Sequence, residues 1–199
     1  EDGKWLVELP PMKAGGPFEM TVNDIRLKDI LVGDVWLCSG QSNMELTAGR
    51  VTDKFAEEIA RDENPMIRYV KIPLGNDLHG PKDDLPGADW MPLTKETAPS
   101  FSALAYFFAK EMYRETQVPV GIVNSSWGGS SVEAWMSEEA LQKFPRQLHE
   151  RDLFDSDEYR ELCNRSGQMM NRFWDTALYK GDRGLHDGIL SLIHISEPT

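Results

Sequence analysis

The chain has 199 residues, with 21 lysines and arginines against 33 aspartates and glutamates, so its formal net charge is −12 at pH 7. This negative excess argues against a partner that presents phosphates, whether a nucleic acid or an anionic membrane surface. Hydrophobic residues make up 40% of the chain, too many for wholesale disorder, and no apolar run is long enough to span a bilayer. The 2 cysteines are too few for a disulfide framework or a zinc cluster, and no cofactor is predicted.

The first part of the chain predicts strands. Residues 4–9 are apolar and β-prone, residues 18–23 alternate with period two, and residues 25–30 form another short strand. A continuous apolar run at residues 35–38, bounded by Asp34 and Ser39, is typical of a strand that is buried on both faces.

From there strands and helices alternate. Further strands are predicted at residues 66–72 and 119–124, with a loop over residues 73–92. Helices are predicted over residues 51–61, from a cap at Ser100 or Ser102 to about residue 115, over 137–144, and over 150–179. This order is typical of an α/β protein with a parallel sheet and helices on its faces.

A Ser-Gly-Gln-Ser-Asn turn at residues 39–43 follows the apolar strand. In an open α/β sheet, the loop at the carboxyl end of a strand faces the crevice where ligands bind. Gly40 permits a tight turn, and Ser42 then stands near the start of the next helical segment, where backbone N–H groups stabilise an oxyanion. These residues alone make Ser42 a candidate nucleophile, with a serine that merely caps a turn as the alternative.

Two blocks of the sequence carry a more specific pattern. Residues 36–45 are Trp-Leu-Cys-Ser-Gly-Gln-Ser-Asn-Met-Glu, and residues 120–135 are Val-Gly-Ile-Val-Asn-Ser-Ser-Trp-Gly-Gly-Ser-Ser-Val-Glu-Ala-Trp. Both blocks, together with residues 101–108 and 13–17, resemble the sialate O-acetylesterase family, carbohydrate esterases of the SGNH hydrolase superfamily. The resemblance implies a three-layer α/β/α fold with a parallel sheet, here incomplete, and metal-free hydrolysis of O-acetyl esters on sugars.

The resemblance also implies roles for a few residues. Ser42 is the nucleophile that attacks the acetyl carbonyl and forms an acyl-enzyme. The implied oxyanion donors are Ser42, Gly129 or its neighbour Gly128, and Asn124. The positions expected to support the site are Gln41, Asn43 and Glu133, the last through a hydrogen bond to the nucleophile loop. The glycines are also explained by a tight strand-to-helix turn, and Asn124 by a turn former at a strand end.

A serine nucleophile requires a histidine base. In the family this base belongs to an Asp-x-x-His motif preceded by a Trp-Tyr-Gln-Gly-Glu-Ser block, and residues 1–199 contain neither. The histidines are His79, His149, His186 and His194. Between Asp182 and His186 there is one residue too many for the motif. We therefore expect a C-terminally truncated esterase with little or no activity as it stands.

The predicted organisation has four parts. Residues 1–32 are a β-rich segment, 33–149 the first part of the esterase domain, 150–190 part of a helical insertion, and 191–199 a tail that does not resemble the family and looks non-native. The start of the chain lacks the pattern of a signal peptide, whereas the resemblance implies a periplasmic or extracellular enzyme.

The expected partner is an acetylated sugar or glycan. Sialic acid O-acetyl esters are the first substrate class that the resemblance implies, and acetylated xylan or other glycans are the alternative. A hypothesis from a different class is a non-catalytic carbohydrate-binding module that uses Trp90, Trp127 and Trp135 as stacking platforms.

Overall fold

A computed structural model describes residues 6–75, 80 and 87–180, with side chains up to residue 172. These residues form two compact units, which divide after Trp135. The predicted domain boundaries at residues 32, 149 and 190 stay predictions.

The first unit contains all the strands among the described residues. They are β1 (Gly15–Val22), β2 (Ile25–Val32), β3 (Asp34–Gly40), β4 (Asn64–Lys71), β5 (Met91–Leu93) and β6 (Val120–Ser126). The α-helices of this unit are α1 (Ser42–Glu45), α2 (Thr52–Arg61) and α3 (Ala103–Thr116). Single 3-10 turns are formed by Ala48–Arg50, Ala98–Ser100 and Val132–Trp135.

Strands β1 and β2 form an antiparallel hairpin, as the period-two alternation predicted. Val22 pairs with Ile25 across a tight turn in which Asn23 has a φ of 51°, a left-handed conformation that asparagine tolerates better than most residues. The predicted strand at residues 4–9 is wrong for its described part, because residues 6–9 have no regular structure. Leu6 is 85% exposed, so an apolar run without a pairing partner did not become a strand.

The main sheet has the strand order β3-β6-β4-β5. β6 lies in the middle and is parallel to both β3 and β4, as expected for an α/β fold. β5 is antiparallel to β4, so the sheet is mixed. β5 lies at the end of the segment predicted as a loop, where a proline in a three-residue strand gave no strand signal.

Helix α3 packs on one face of this sheet. Ser102, not Ser100, caps it, since the Ser102 Oγ accepts a hydrogen bond from the Ala105 N–H at 3.3 Å. Tyr69 of β4 is buried beneath the helix and stacks on Phe101, with 4.4 Å between ring centroids. Aromatic burial on this face therefore fixes the start of α3 next to the carboxyl ends of the strands.

The face of β3 that points away from α3 is exposed, although the sequence predicted that both faces are buried. Val35 and Leu37 are 66% and 71% exposed, so the expected burial of this strand on both faces is wrong. β3 is the edge strand of the sheet, and only Trp36 and Cys38 point toward the side on which α3 packs. A continuous apolar run indicates a preference for two-sided burial, but the neighbours that would provide it are not among the described residues.

The second unit is helical. It contains α4 (Glu138–Leu141), α5 (Pro145–Asp155) and α6 (Asp157–Lys180). The helix predicted over residues 150–179 is broken at Ser156, which has an extended backbone and accepts a hydrogen bond from the Tyr159 N–H at 3.2 Å. None of the helices in the described ranges is long and apolar enough to cross a membrane.

An ion pair connects the β1–β2 hairpin to the main sheet. The Arg68 guanidinium donates two hydrogen bonds to the Asp29 carboxylate, at 2.7 and 2.9 Å. These bonds hold the pKa of Asp29 below its ordinary value. The Arg68 side chain is 16% exposed and that of Asp29 59%, so solvent screening limits the stabilisation to about 1 kcal/mol or less.

Asp29→Asn is expected to lower the free energy of unfolding at neutral pH by about that amount. Asparagine tolerates the φ of 60° at this position, so the variant removes the charge without backbone strain. The difference in unfolding free energy between the wild type and Asp29→Asn has its full size above the unfolded aspartate pKa of about 3.9. It disappears as pH falls through the lowered pKa of Asp29 in the folded protein. Urea unfolding at several pH values measures this, with Asp24→Asn in the hairpin turn as the control. A difference between wild type and Asp29→Asn that stays constant with pH would contradict the assignment.

Candidate active site

Ser42 lies at the carboxyl end of β3, where the strand turns into α1. It is exposed, and its Oγ donates a hydrogen bond to the Gln41 Oε1 at 3.3 Å. Gly40 in this turn has a φ of +148°, which residues with a β-carbon rarely adopt. The turn therefore presents the Ser42 hydroxyl to solvent at the edge of the sheet where parallel strands place their ligands.

The chain that leaves α1 is fixed to the start of α3. The Leu46 carbonyl accepts a hydrogen bond from the Ala103 N–H at 2.7 Å, and the Ala48 N–H donates to the Phe101 carbonyl at 2.8 Å. Ala48 and Phe101 are fully buried. The nucleophile turn, residues 39–45, is therefore held at both ends, by β3 and by this anchor.

Asn124 of β6 is hydrogen-bonded at both ends of the same turn. It is buried near the end of β6, and its Nδ2 donates to the carbonyls of Cys38 and Met44 at 3.4 and 3.5 Å. Its Oδ1 accepts from the Ser126 hydroxyl at 2.8 Å. The amide therefore joins the end of β3 to α1, and its predicted role as an oxyanion donor stays a prediction.

The loop after β6 runs directly against the nucleophile turn. The Trp127 N–H donates to the Gly40 carbonyl at 3.0 Å, which extends the pairing of β3 and β6 by one bond. A β-carbon added to Gly128 would lie 3.7 Å from the Ser42 Cβ and only 2.8 Å from the Glu45 Oε2, so a larger residue here would displace the Glu45 carboxylate. We call residues 127–130 the glycine loop.

The two glycines of this loop differ in their hydrogen bonds. The Gly128 N–H donates to the Glu45 Oε2 at 2.6 Å. Gly129 has a φ of +79° with open space beside it, and its N–H meets no protein acceptor among the described residues. The Gly129 N–H is thus available to a ligand, whereas the Gly128 N–H is occupied.

Glu45 is the site residue that sequence reasoning missed. Besides Gly128, its carboxylate contacts Lys71 at the end of β4, with 3.5 Å between Oε1 and Nζ. The sequence offered one signal, because Glu45 follows Ser42 by three residues and such residues lie on the same side of a helical turn.

The remaining supporting positions lie around the two loops. The Gln41 Oε1 accepts a hydrogen bond from the Ser42 hydroxyl, and Asn43 is exposed on α1. The pKa of Glu133 is lowered by hydrogen bonds that its carboxylate accepts from its own backbone N–H and from the Ser131 hydroxyl. The expected hydrogen bond between Glu133 and the nucleophile turn is absent within the described residues. The turn is instead bonded to the glycine loop through Glu45, which accepts from the Gly128 N–H.

The described part of the chain contains one histidine, His149, which is exposed on α5 in the second unit. His79, His186 and His194 lie outside the described residues. Burial raises the pKa of the Cys38 thiol, which packs against the core, as expected for an unreactive cysteine. No group of three or more His, Cys, Asp or Glu side chains that could hold a metal ion occurs in the described ranges.

Comparison with known proteins shows which family the chain belongs to. The family model described as "Carbohydrate esterase, sialic acid-specific acetylesterase" matches residues 32–178, which include both the nucleophile turn and the glycine loop. The chain belongs to this family. The resemblance of the two sequence blocks is thereby confirmed.

Individual relatives agree with the family assignment. The chain is 36% identical over 154 residues to the sialate O-acetylesterase of Rattus norvegicus and 35% identical over 156 residues to that of Homo sapiens, in each case over 69% of this chain. The crystal structure of a carbohydrate acetylesterase from Xanthomonas citri matches 71% of the chain with 40% identity and a TM-score of 0.64, which confirms the α/β fold. The chain spans 28% and 29% of the two sialate O-acetylesterases and 33% of the solved structure.

Asn124→Ala is expected to destabilise the first unit by about 1–3 kcal/mol, because it leaves buried polar groups without partners. Thermal or urea unfolding measures the change, and Asn164→Ala on the exposed surface of α6 is the matched control. An unfolding free energy equal to that of the wild type would contradict the supporting role assigned to this amide.

Proposed function

We propose that this chain supplies the nucleophile and the oxyanion donors of a carbohydrate O-acetylesterase. The observation that carries the proposal is the approach of the glycine loop to Ser42, within 3.7 Å of the Ser42 Cβ for a β-carbon at Gly128. The Ser42 hydroxyl is exposed, and Gly129, the residue after Gly128, has an N–H without a protein acceptor among the described residues. An acyl-transfer site needs this combination of a nucleophile and preorganised donors.

In the proposed reaction the Ser42 Oγ attacks the acetyl carbonyl while its proton passes to a base. The tetrahedral oxyanion accepts hydrogen bonds from the N–H groups of Ser42 and Gly129, neither of which has a protein acceptor among the described residues. The intermediate collapses to an acetyl-enzyme and releases the sugar hydroxyl, which takes the proton from the base. Water then attacks the acetyl group, releasing acetate and restoring the Ser42 hydroxyl.

The base is the missing element of this proposal. The partner of the Ser42 hydroxyl is the Gln41 amide oxygen, which is too weakly basic to take the proton at neutral pH. We propose that the base is the histidine of an Asp-x-x-His motif, which residues 1–199 do not contain, and that the chain alone therefore turns over acetyl esters slowly or not at all.

The family description and the names of the relatives favour the O-acetyl esters of sialic acid as the substrate. Acetylated xylan and other glycans are the second class, because the solved neighbour is named more broadly as a carbohydrate acetylesterase. Trp90 and Trp135 are 47% and 44% exposed, which favours sugar stacking as the second candidate function, as in a binding module without catalysis.

External imidazole tests the proposed nucleophile and the missing base together. Without imidazole, the chain is expected to hydrolyse 4-nitrophenyl acetate no faster than Ser42→Ala. General base catalysis is worth about a hundredfold or more, so imidazole is expected to raise the rate of the wild-type chain well above that of Ser42→Ala in the same buffer.

Ser166→Ala, a change in an exposed serine of α6, is the matched control and is expected to respond to imidazole like the wild type. Rapid hydrolysis without imidazole that Ser42→Ala abolishes would show that the chain holds its own base and would return attention to His186. Equal imidazole-dependent rates in wild type and Ser42→Ala would refute Ser42 as the nucleophile. Acetate release from O-acetylated sialic acid and from acetylated xylan then separates the two substrate classes, and sugar binding without any acetate release would favour the binding module.

A further inference from the structure

We propose that Glu45 is a positioning residue, whose carboxylate holds the glycine loop against the nucleophile turn and thereby fixes the oxyanion donor Gly129. This inference rests on the proposed function of Ser42 and Gly129. It concerns a residue that acts through its neighbours and does not itself contact the reacting atoms.

The first observation is the bond between Glu45 and Gly128. The distance of 2.6 Å from the Gly128 N to the Glu45 Oε2 is that of a short, charge-assisted hydrogen bond. It joins residues that are 83 positions apart in the chain, one in the nucleophile turn and the other in the glycine loop. Since the carboxylate is 28% exposed, solvent only partly weakens this bond.

The second observation is the freedom that the loop would otherwise have. Gly128 and Gly129 are consecutive glycines, and glycine loses more conformational entropy on ordering than any other residue. No atom lies within 4 Å of the position where a β-carbon on Gly129 would be, so no side chain packs on that face of the residue. Restraint at Gly128 therefore limits the positions that the adjacent Gly129 N–H reaches.

The third observation is the second contact of the same carboxylate. Lys71 stands at the end of β4 and pairs in register with Asn124 of β6. Its ammonium lies 3.5 Å from the Glu45 Oε1, while Oε2 is occupied by Gly128. The carboxylate thus connects the chain after β3 with the ends of β4 and β6, which favours one orientation of the carboxylate.

The size of Glu45 fits the space that Gly128 leaves. A β-carbon at Gly128 would come within 2.8 Å of the Oε2, so the carboxylate lies where a larger residue would put its side chain. Glutamine has the same length and keeps an oxygen that accepts from the Gly128 N–H. Methionine fills a similar volume without such an acceptor.

The test compares Glu45→Ala, Glu45→Gln and Glu45→Met with the wild-type chain. Backbone order parameters of Gly128 and Gly129, from ¹⁵N relaxation, are expected to fall from about 0.85 toward 0.6 or lower in the alanine and methionine variants. The glutamine variant is expected to retain values near those of the wild type. Glu57→Ala on α2, where the side chain is 87% exposed, is the matched control.

The second readout is the imidazole-dependent, Ser42-dependent rate of ester hydrolysis. Displacement of a donor by about 1 Å costs up to about a hundredfold, so kcat is expected to fall between tenfold and a hundredfold in Glu45→Ala with KM little changed. Glu45→Gln is expected to keep most of the wild-type rate. If the alanine variant were slow only because it is less stable, the presence of an acceptor oxygen at this position would not by itself preserve the rate.

Order parameters that are unchanged in both Glu45→Ala and Glu45→Met would overturn the proposal. It would also be overturned if Glu45→Gln lost as much order and rate as the methionine variant. If Glu45→Ala does not fold, Glu45→Met decides the question, because it preserves packing. Absence of any Ser42-dependent rate in the wild type would refute the proposed function instead, and the order parameters would still decide whether Glu45 holds the loop.

Discussion

The parallel pairing of β3 with β6 is the constraint on which the site depends. The two strands remain in register from Asp34 opposite Val120 to Gly40 opposite Ser126, without a bulge. Because both strands end at the same level, the chain segments that follow them must meet, and the hydrogen bond from Trp127 to Gly40 continues the pairing into the loops. A slip of one residue would move the glycine loop away from Ser42 and reverse which side chains of β6 face the core.

Two polar side chains make this meeting of loops stable. Backbone groups at the ends of strands lose their sheet partners, and when buried they need others. The Asn124 amide serves the carbonyls of Cys38 and Met44, and the Glu45 carboxylate serves the Gly128 N–H. The N–H groups of Ser42 and Gly129 have no protein acceptor among the described residues. The hydrogen bonds of the described residues thus separate the groups that hold the two loops together from the N–H groups that remain without a protein acceptor.

Local signals in the sequence predicted the elements that carry the site. Apolar runs gave β3 and β6, a capping serine gave the start of α3, and the glycine-serine turn together with the family resemblance gave Ser42. The contact between Glu45 and Gly128 could not be predicted in this way, because it depends on strand order and not on spacing along the chain. The exposure of Val35 was missed for a similar reason, since an apolar run indicates a preference for burial but does not reveal which neighbours provide it.

The described residues also separate what the backbone of the sheet positions from what side chains must supply. Strand pairing within residues 34–126 fixes the backbone as far as Ser126, whereas the Gly129 N–H lies beyond the paired strands. A general base is a side chain that must reach the Ser42 hydroxyl from elsewhere, and no element next to the nucleophile turn in the first unit carries a described histidine. The backbone at the ends of β3 and β6 is therefore positioned as soon as the sheet forms, whereas the position of Gly129 also depends on the contact of Glu45 with Gly128. Among the described residues the exposed Ser42 hydroxyl has only an amide oxygen as its partner, so loss of its proton requires a further group.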